Sequence, residues 1–486
     1  MLGLLEGSPA KLQLVEAHRF EHMVLDMPTG PCWDYTSLWR EVQQGVRKAA
    51  KMATDMGVEL KSIGVDTWGV DWTMVDTAGE PIGLPHAYRD PAHGAAMRGV
   101  LDRFPGGVEA IYGRTGIAPA TFNTLFQLEA RYEASPTLFE IMGGTMLLMP
   151  DLMHFLLTGK MANERTIAST TSMLNAETGT WDTELLSLLG LPSTQLAQIV
   201  EPGTVLGPVR DSLVEELGLP GDVQVVAPAG HDTASAVAAV PATEPDGTWA
   251  YLSSGTWSLL GVEAAVPNTT PAAFAVPFTN EQGVGGKIRF LRNIGGLWLV
   301  QELRRDLQKQ GQSFDFAQLA ALASEAEPLR SIVDPNAGDL AQPGDSIAKL
   351  RGHAARTGQP EPETPGQLAR CCLESLALCY NETITQIESL TDCKIETLHI
   401  VGGGVNNRLL NQLTADATGR TVKLGPSEAT AIGNALVQAM GLGIVDGLAN
   451  LREIVGRFSG SEVIEPSSDP AEWSAAKERY QQLIGG

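Results

Sequence analysis

The sequence of 486 residues has few cysteines, little positive charge and no long apolar run. Its five cysteines form no C-x-x-C pair and have no histidine at metal-ligand spacing, so we predict neither a zinc site nor a disulfide framework. Cys372 and Cys379 lie one heptad apart on an apolar helical pattern, which predicts buried, reduced thiols.

Positive charge is scarce: Lys and Arg total 34 against 57 Asp and Glu, a formal net charge of −23. This balance argues against nucleic-acid and membrane partners, because phosphate-rich surfaces bind basic patches. The sequence also lacks a run of about 18 apolar residues and a basic leader with a cleavage site. We therefore predict a cytoplasmic protein in which backbone N–H groups, helix N-termini or a divalent cation hold any phosphorylated ligand.

Strand, turn and helix alternate along the chain, which predicts an α/β fold, and the length predicts two or three units of about 100 to 200 residues each. The Thr- and Ser-rich segment 166–172 alternates as a strand or a loop does. Pro, Gly and charged residues in 335–365 predict a loop or an insertion. Helical periodicity predicts long helices at 33–56, 367–390 and 408–418.

One carboxylate follows a predicted strand. Residues 223–229 are apolar, and the chain then passes through Gly230 and His231 to Asp232 and a run of small helix-forming residues. Asp232 is our candidate catalytic base. The alternative is that Asp232 or Thr233 is an ordinary helix cap, worth about 1 kcal/mol, and this segment alone favours the cap. No serine or cysteine is placed to complete a triad with His231, which disfavours nucleophilic catalysis.

Two further segments combine glycine with a strand end. Residues 401–404 place three glycines between a predicted strand and a helix, where a phosphate can approach free N–H groups. Residues 253–256 combine two serines, a glycine and a threonine in a predicted hairpin. Neither matches a Walker A loop or a dinucleotide fingerprint, so each is either a nucleotide contact or simply a tight turn.

Acidic and aromatic residues also cluster at predicted strand ends. Trp68 beside Gly69 suggests a flat apolar platform for a ligand, whereas Trp72 is predicted to be core. The acidic residues of this cluster are Asp66, Asp71 and Asp90. Two interpretations apply to them: they bind a sugar or a metal, or they are solvated or capping side chains, as most acidic residues at strand ends are.

Taken together, the motifs resemble the FGGY carbohydrate kinases over nearly the whole chain and in order. The segments 231–237 and 253–258 resemble in particular the branch that phosphorylates L-rhamnulose, whereas the triple glycine is shared with many relatives. The segments that carry the resemblance are 66–71, 83–85, 88–90, 149–151, 157–159, 231–237, 251–258, 293–294, 296–298 and 398–404.

The resemblance implies two ribonuclease-H-like (actin-type ATPase) domains with an interdomain cleft. Residues 1–238 would form the sugar-binding domain and residues 239–486 the nucleotide-binding domain. The reaction would transfer the γ-phosphate of ATP, with Mg²⁺, to the 1-hydroxyl of L-rhamnulose, giving L-rhamnulose 1-phosphate and ADP in rhamnose catabolism. Domain closure would exclude water.

By the matching motifs, Asp232 would be the base that accepts the proton of the sugar hydroxyl. No metal ligand is assigned. The residues expected to contact sugar are Gly69, His231, Thr233 and Asn293. Those expected to contact nucleotide are Thr256, Gln301 and Gly403.

The N-terminus departs from the family pattern. The family begins with a strand and a hairpin of the form Asp-x-Gly-Ala-Ser-Ser-Gly-Arg, which carries a metal-associated Asp and wraps the ATP phosphates, whereas residues 1–3 align with the strand after it. We favour a start codon placed too late over a genuinely shortened chain with weak or no activity. The alternative functions are a kinase for a related ketose, such as fuculose or xylulose, and an inactive sugar- or nucleotide-binding relative.

Overall fold

Strands and helices alternate along the computed structural model, which confirms the predicted α/β class. The structure describes residues 1–7, 9–136, 144–191, 193–460 and 462–485. The strands of this part of the chain are β1 (Leu2–Glu6), β2 (Lys11–Val15), β3 (Val24–Met27), β4 (Gly30–Trp33), β5 (Ser62–Ile63), β6 (Trp72–Val75), β7 (Pro81–Ile82), β8 (Thr145–Leu148), β9 (Asn163–Glu164), β10 (Ile199–Val200), β11 (Thr204–Pro208), β12 (Gln224–Ala227), β13 (Trp249–Ser254), β14 (Ser258–Ala264), β15 (Thr279–Gln282), β16 (Ile288–Ile294), β17 (Thr397–Val401), β18 (Thr421–Leu424) and β19 (Glu462–Ile464).

The α-helices of the same residues differ widely in length. They are α1 (Tyr35–Met56), α2 (His93–Arg103), α3 (Gly107–Thr115), α4 (Thr124–Ala134), α5 (Met149–Thr158), α6 (Arg165–Ala168), α7 (Thr183–Leu188), α8 (Asp211–Leu217), α9 (Asp232–Ala238), α10 (Pro271–Ala275), α11 (Trp298–Lys309), α12 (Phe316–Glu325), α13 (Ser346–Arg356), α14 (Pro365–Leu390), α15 (Arg408–Thr418), α16 (Ala429–Gly441), α17 (Gly447–Ser459) and α18 (Pro470–Ile484). None of them, within the described residues, combines the length and apolarity of a membrane span.

The chain divides into two compact units, and each unit is made of non-contiguous segments. Unit 1 comprises Met1–Ala239, Ala264–Phe290 and Thr430–Phe458. Unit 2 comprises Val240–Glu263, Leu291–Ala429 and Ser459–Gly486. Segments that are distant in sequence therefore contribute to the packing of one unit.

In unit 1, β12 leads directly to the turn that carries Asp232. β12 pairs antiparallel with β11 and parallel with β5. A parallel bridge between Thr67 and His231 continues the pairing beyond the two strands. Since the carboxyl ends of parallel strands meet at one edge of a sheet, residues that follow β5 and β12 lie close together. A second sheet has the order β7-β6-β8, and Trp72 of β6 is buried in the adjoining core, as predicted.

In unit 2, the strand order β16-β14-β13-β17-β18-β19 places β13 in the interior of the sheet. β13 pairs antiparallel with β14 and parallel with β17, and β17 pairs parallel with β18. The register aligns Ser253 with Val401, so the turn after β13 and the triple glycine after β17 lie at the same edge of the sheet.

Capping residues explain the bounds of the predicted long helices. Asp34 caps α1 by accepting from the Ser37 N–H, and α1 ends at Gly57, which has φ +69°. Thr364 begins α14 with a capping box. Along α14, Cys372 and Cys379 are buried, as predicted, and burial raises the pKa of both thiols.

One prediction of irregular structure was wrong, and a second was wrong in one of its two alternatives. Residues 166–171 are helical, since α6 is followed by a 3₁₀ turn at Ser169–Thr171 whose hydroxyls donate to carbonyls three residues earlier. The region 335–365 contains the helix α13, so it is not simply a loop, and the alternative, an insertion, stays a prediction. The turn before α13 contains Gly344 and Asp345, and Asp345 has φ +53°. Turn residues of this kind made the composition of 335–365 resemble that of a loop.

Candidate functional site

Gly230 begins the turn that presents Asp232. Its N–H donates to Glu164 Oε2 at 2.8 Å, and a Cβ atom at this position would lie 3.0 Å from the same oxygen. Thr67 holds the turn on both sides: its N–H donates to the Gly230 carbonyl at 3.0 Å, and its carbonyl accepts from the Asp232 N–H at 2.9 Å. These contacts set the direction in which the chain leaves β12.

Glu164 supports the turn from a buried position. Besides Gly230, it accepts hydrogen bonds from the Thr166 N–H, the Thr166 hydroxyl and the Ile167 N–H. Burial raises its pKa to about 7, although these hydrogen bonds favour the ionised carboxylate. Thr166 Oγ1 in turn accepts from the His231 N–H at 3.2 Å. Sequence reasoning missed Glu164, because no spacing links it to a turn 66 residues later.

Asp232 is the first residue of α9, and its side chain is 46% exposed. Thr233 Oγ1 donates to Asp232 Oδ1 at 3.1 Å, and His231 Nε2 lies 3.5 Å from the same oxygen. Within the described residues no group donates a hydrogen bond to Oδ2, which is open to a ligand hydroxyl. The capping alternative is wrong, since His231 occupies the N-cap position and no side chain caps this helix.

His231 connects the turn to a buried ion pair. Its Nδ1 atom lies 3.2 Å from Arg289 Nη2 and 3.1 Å from Glu281 Oε2, and these two charged groups are 2.8 Å apart. Burial would raise the pKa of Glu281, but Arg289 and His231 outweigh it and lower the pKa to about 2. The sequence carried no signal for this pair, because a strand residue that faces a distant turn has no local motif.

Gly69 lies where a side chain would be crowded. A Cβ atom at Gly69 would be 3.2 Å from Thr170 Oγ1, and the N–H of Val70 donates to that hydroxyl at 3.1 Å. Val70 itself has φ +69°, a strained value for a β-branched residue. The tight turn at 69–70 therefore places backbone, rather than a side chain, beside Thr170.

Asp71 organises the aromatic residues next to Gly69. Its Oδ2 accepts from Trp33 Nε1 at 2.6 Å and from Trp68 Nε1 at 2.8 Å. The two indole rings lie 4.3 Å apart, and Trp68 also stacks on His22. Asp71 is thus a buried, hydrogen-bonded carboxyl rather than a solvated one. Asp90 is also buried, and its Oδ1 accepts from the Ala92 N–H at 2.9 Å within its own turn.

Asp66 is the second carboxyl close to Asp232. Burial and the nearby Asp232 charge raise the pKa of Asp66 to about 7, against the effect of a hydrogen bond from Asn434 Nδ2. Thr430 Oγ1 donates to the Asp232 carbonyl at 3.3 Å. Helix α16 therefore contacts the turn and the second carboxyl, and neither Thr430 nor Asn434 was singled out from the sequence.

The triple glycine of unit 2 packs against the end of β13. A Cβ atom at Gly404 would overlap Ser254 Oγ, and one at Gly402, which has φ +85°, would lie 2.9 Å from the Ser254 carbonyl oxygen. Gly403 between them is exposed, and a Cβ atom there would meet nothing within 4 Å. Close packing thus requires two of the glycines, and the middle one presents free backbone.

The turn between β13 and β14 is joined to the start of α11. The Leu297 N–H donates to the Gly255 carbonyl at 3.1 Å, and the Trp298 N–H donates to the Thr256 carbonyl at 3.0 Å. Gln301 Nε2 donates to Thr256 Oγ1 at 3.1 Å. The structure therefore brings together two of the three predicted nucleotide contacts, at the sheet edge that also carries Gly403.

The predicted sugar contacts fall in different units. Gly69, His231 and Thr233 belong to unit 1, and the latter two adjoin Asp232 directly. Asn293 is an exposed residue of β16 in unit 2. A metal cluster of three or more Asp, Glu, His or Cys side chains is absent from the residues that the structure describes.

Comparison with known proteins gives a consistent picture. Residues 10–239 match the model of the FGGY family of carbohydrate kinases, N-terminal domain, and residues 250–442 match the corresponding C-terminal domain. The chain is 40% identical to a rhamnulokinase of Bacteroides thetaiotaomicron over 473 residues, which is 97% of this chain and 94% of the relative. It is 41% identical to a rhamnulokinase of Oceanobacillus iheyensis over 92% of this chain and 91% of the relative.

Solved structures with the same fold share less sequence. A ligand-bound xylulose kinase from Lactobacillus acidophilus superposes with a TM-score of 0.78 at 16% identity, over 98% of this chain and 94% of that one. Plasmodium falciparum glycerol kinase with ADP gives a TM-score of 0.78 at 16% identity, over 96% and 92%. These likenesses confirm the predicted fold.

Proposed function

The chain belongs to the FGGY family of carbohydrate kinases, and on this premise we propose that it transfers the γ-phosphate of ATP to the 1-hydroxyl of L-rhamnulose. The products would be L-rhamnulose 1-phosphate and ADP, as expected for rhamnose catabolism. The observation that carries the proposal is Asp232, a half-exposed carboxylate with one oxygen open to a ligand, held by the turn that also carries His231 and Thr233.

Asp232 acts as the base in this proposal. Oδ1 is occupied by Thr233 and faces His231, so Oδ2 is the atom that accepts the proton of the sugar hydroxyl as the oxygen attacks phosphorus. His231, Thr233 and the backbone at Gly69 orient the sugar. Orientation matters because positioning and charge stabilisation supply most of the catalysis of phosphoryl transfer.

The nucleotide binds at the sheet edge of unit 2. The exposed backbone at Gly403 approaches the phosphates, and Thr256 and Gln301, already hydrogen-bonded to each other, supply polar contacts. Residues 1–238 would thus carry mainly the sugar site and residues 239–486 mainly the nucleotide site. Because the reaction consumes ATP, we place the protein in the cytoplasm.

Mg²⁺ is the ion that ATP brings to such a reaction. It keeps several waters and nucleotide oxygens, so it needs only one or two protein carboxylates. Asp66 fits this requirement as a buried carboxyl close to Asp232, whose own free oxygen is left to act as the base. In our proposal Asp66 would hold the ion, which would neutralise charge on the phosphates.

Asp232→Asn tests the proposal. We expect ADP release from MgATP and L-rhamnulose to fall about a hundredfold or more, because general-base catalysis contributes about 10² to 10⁴ in rate. The melting temperature should stay close to that of the wild type, since the side chain is half exposed. Coupled measurement of ADP release and a thermal scan check both expectations.

Asp211→Asn is the matched control, because Asp211 is an exposed residue at the first position of a helix of equal length in unit 1. It should keep the full rate. A panel of L-rhamnulose, fuculose and xylulose compared by kcat/KM identifies the sugar. An Asp232→Asn protein with the wild-type rate would refute the assignment of Asp232 as the base. A wild-type protein that is thermally stabilised by the sugar but releases no ADP would refute the proposed kinase activity.

A further inference from the structure

Thr166 holds the middle of the turn that carries Asp232. Its side-chain oxygen accepts from the His231 N–H at 3.2 Å, and the residue is 0% exposed. The N–H groups on either side, those of residues 230 and 232, donate to Glu164 Oε2 and to a backbone carbonyl. All three consecutive N–H groups are thus satisfied, and only the middle one depends on a hydroxyl.

The hydroxyl of Thr166 has a defined direction of hydrogen bonding. Oγ1 lies 2.6 Å from Glu164 Oε2, which also accepts from the N–H groups of Gly230 and Ile167 at 2.8 and 3.1 Å. A backbone N–H can only donate, so Oε2 is an acceptor and the single hydroxyl hydrogen of Thr166 points to it. The lone pairs of Oγ1 are then left for the His231 N–H. Thr166 therefore links a buried carboxyl group to the turn.

Asp232 follows His231 directly and depends on the turn for its position. Its carboxylate is 46% exposed, and the hydroxyl that donates to it at 3.1 Å belongs to Thr233 of the same helix, so this donor moves with it. A displaced turn would therefore carry the carboxylate along. Such a displacement matters for the rate, because a shift of about 1 Å at reacting atoms can cost about a hundredfold.

We propose that Thr166 is a positioning residue whose hydroxyl ties Glu164 to the His231 N–H and so sets the place of Asp232 Oδ2 relative to the sugar hydroxyl. The catalytic consequence rests on the proposed function, whereas the hydrogen bond is a property of the free protein. A hydroxyl that only satisfied a buried N–H would affect stability when it is removed. A positioning hydroxyl also affects the rate of the chemical step, and this difference can be measured.

The first test compares Thr166→Val, which replaces the hydroxyl by a methyl group of similar size, with Thr166→Ser, which keeps the hydroxyl. We expect Thr166→Val to lower kcat for ADP release from MgATP and L-rhamnulose about tenfold, because small displacements of a reacting group are costly. KM should change less, since the turn at Gly69, which also orients the sugar, is held by Thr170 through the Val70 N–H. Thr166→Ser should keep most of the wild-type kcat.

Thr171→Val is the matched control. Thr171 lies in the same helical segment, is also 0% exposed, and its hydroxyl also both donates and accepts. Its partners are the Ala168 carbonyl at 2.6 Å and the Met173 N–H at 3.2 Å, neither of which belongs to the turn at 230–232. We expect Thr171→Val to lower the melting temperature as Thr166→Val does, while it keeps the wild-type kcat. Equal losses of kcat in the two variants would show a structural role only and would overturn the proposal.

Amide NMR of deuterated, ¹⁵N-labelled protein tests the hydrogen bond without reference to activity. We expect the His231 amide proton to be protected from exchange in the wild type, and to move upfield in Thr166→Val but not in Thr166→Ser or Thr171→Val. A folded Thr166→Val protein with the wild-type kcat, or with an unchanged His231 amide resonance, would overturn the positioning role.

The wild-type exchange measurement stands even if Thr166→Val does not fold: exchange of the His231 amide as fast as that of an exposed amide would also overturn the proposal. A wild-type protein that releases no ADP would contradict the proposed kinase function instead. The amide measurements would then still decide whether Thr166 holds the turn.

Discussion

Asp71 is the side chain for which we expect the clearest dependence of stability on pH. Burial raises its pKa to about 7, although Trp33, Trp68 and Gln127 donate hydrogen bonds to it. In the unfolded chain an aspartate has a pKa of about 3.9. The folded state therefore binds more protons between these values, so the contribution of Asp71 is fully present below about pH 4 and is lost as the pH rises through 7.

Asp71→Asn should remove this dependence, because the amide stays neutral. We expect the variant to gain stability relative to the wild type between pH 5 and pH 8, measured as the difference in free energy of unfolding in urea. Asp34→Asn is the contrast. Hydrogen bonds from Thr36 and Ser37 lower the pKa of Asp34 to about 2, so Asp34 stays ionised from pH 5 to pH 8. The loss of free energy of unfolding in Asp34→Asn, relative to the wild type, should therefore be constant over this range. If the free energy of unfolding of Asp71→Asn differed from that of the wild type by the same amount at every pH from 5 to 8, the expectation would be contradicted.

At the scale of single elements, Gly403 and Gly404 separate packing from ligand approach. Gly404→Ala would force a methyl group into Ser254, and the close backbone leaves little room to relax. We expect it to lower the free energy of unfolding by about 1 to 3 kcal/mol, as overpacking does. Gly403→Ala adds a methyl group in open space, so stability should be unchanged while ATP binding weakens. Urea unfolding measures the stability of both variants, and calorimetric titration measures their affinity for ATP. Equal ATP affinity for Gly403→Ala and the wild type would show that Gly403 does not contact the nucleotide.

The elements predicted well from the sequence are those with local determinants. Apolar periodicity and caps gave close bounds for α1 and α14, and α15 matches its predicted bounds, because a helix with a capping residue and one apolar stripe is specified within its own segment. The segment 166–172 was misread because its helix depends on Glu164, which caps the first turn through two N–H groups. A glutamate is an unusual cap, so composition alone pointed elsewhere.

The candidate site shows the same division. Asp232 was singled out from the sequence because a strand, a glycine turn and a helix surround it, whereas His231, Thr233, Thr256 and Gln301 were inferred from a resemblance. Their supporting residues were not. Glu164, Glu281, Arg289 and Asn434 reach the turn from distant segments, and long-range pairing leaves no periodic signal in a single sequence.

At the scale of the whole molecule, unit 1 depends on two segments that the chain supplies late. Residues Ala264–Phe290 bring Arg289 to His231, and Gln282 of the same segment donates its N–H to Ser169 Oγ at 2.9 Å. Residues Thr430–Phe458 bring α16 against α9, where a Cβ atom at Gly433 would overlap the Ser235 carbonyl oxygen. Both segments contact the turn around Asp232, so the site and the core of unit 1 are built together.

We therefore expect the fragment 1–239 alone not to unfold cooperatively in urea. It exposes the faces that these two segments cover, and it lacks Asn434 beside Asp66 and the pair Glu281 and Arg289 beside His231. A single chain that joins 1–239, 264–290 and 430–458 through Gly/Ser linkers should regain a cooperative transition and thermal stabilisation by the sugar. Far-UV circular dichroism across a urea series measures both proteins. The linked chain with Gly433→Leu is the control: it has the same length and linkers but cannot seat α16 on α9, so it should behave as the fragment does. Cooperative unfolding of 1–239 alone would show that this fragment folds without the segments 264–290 and 430–458.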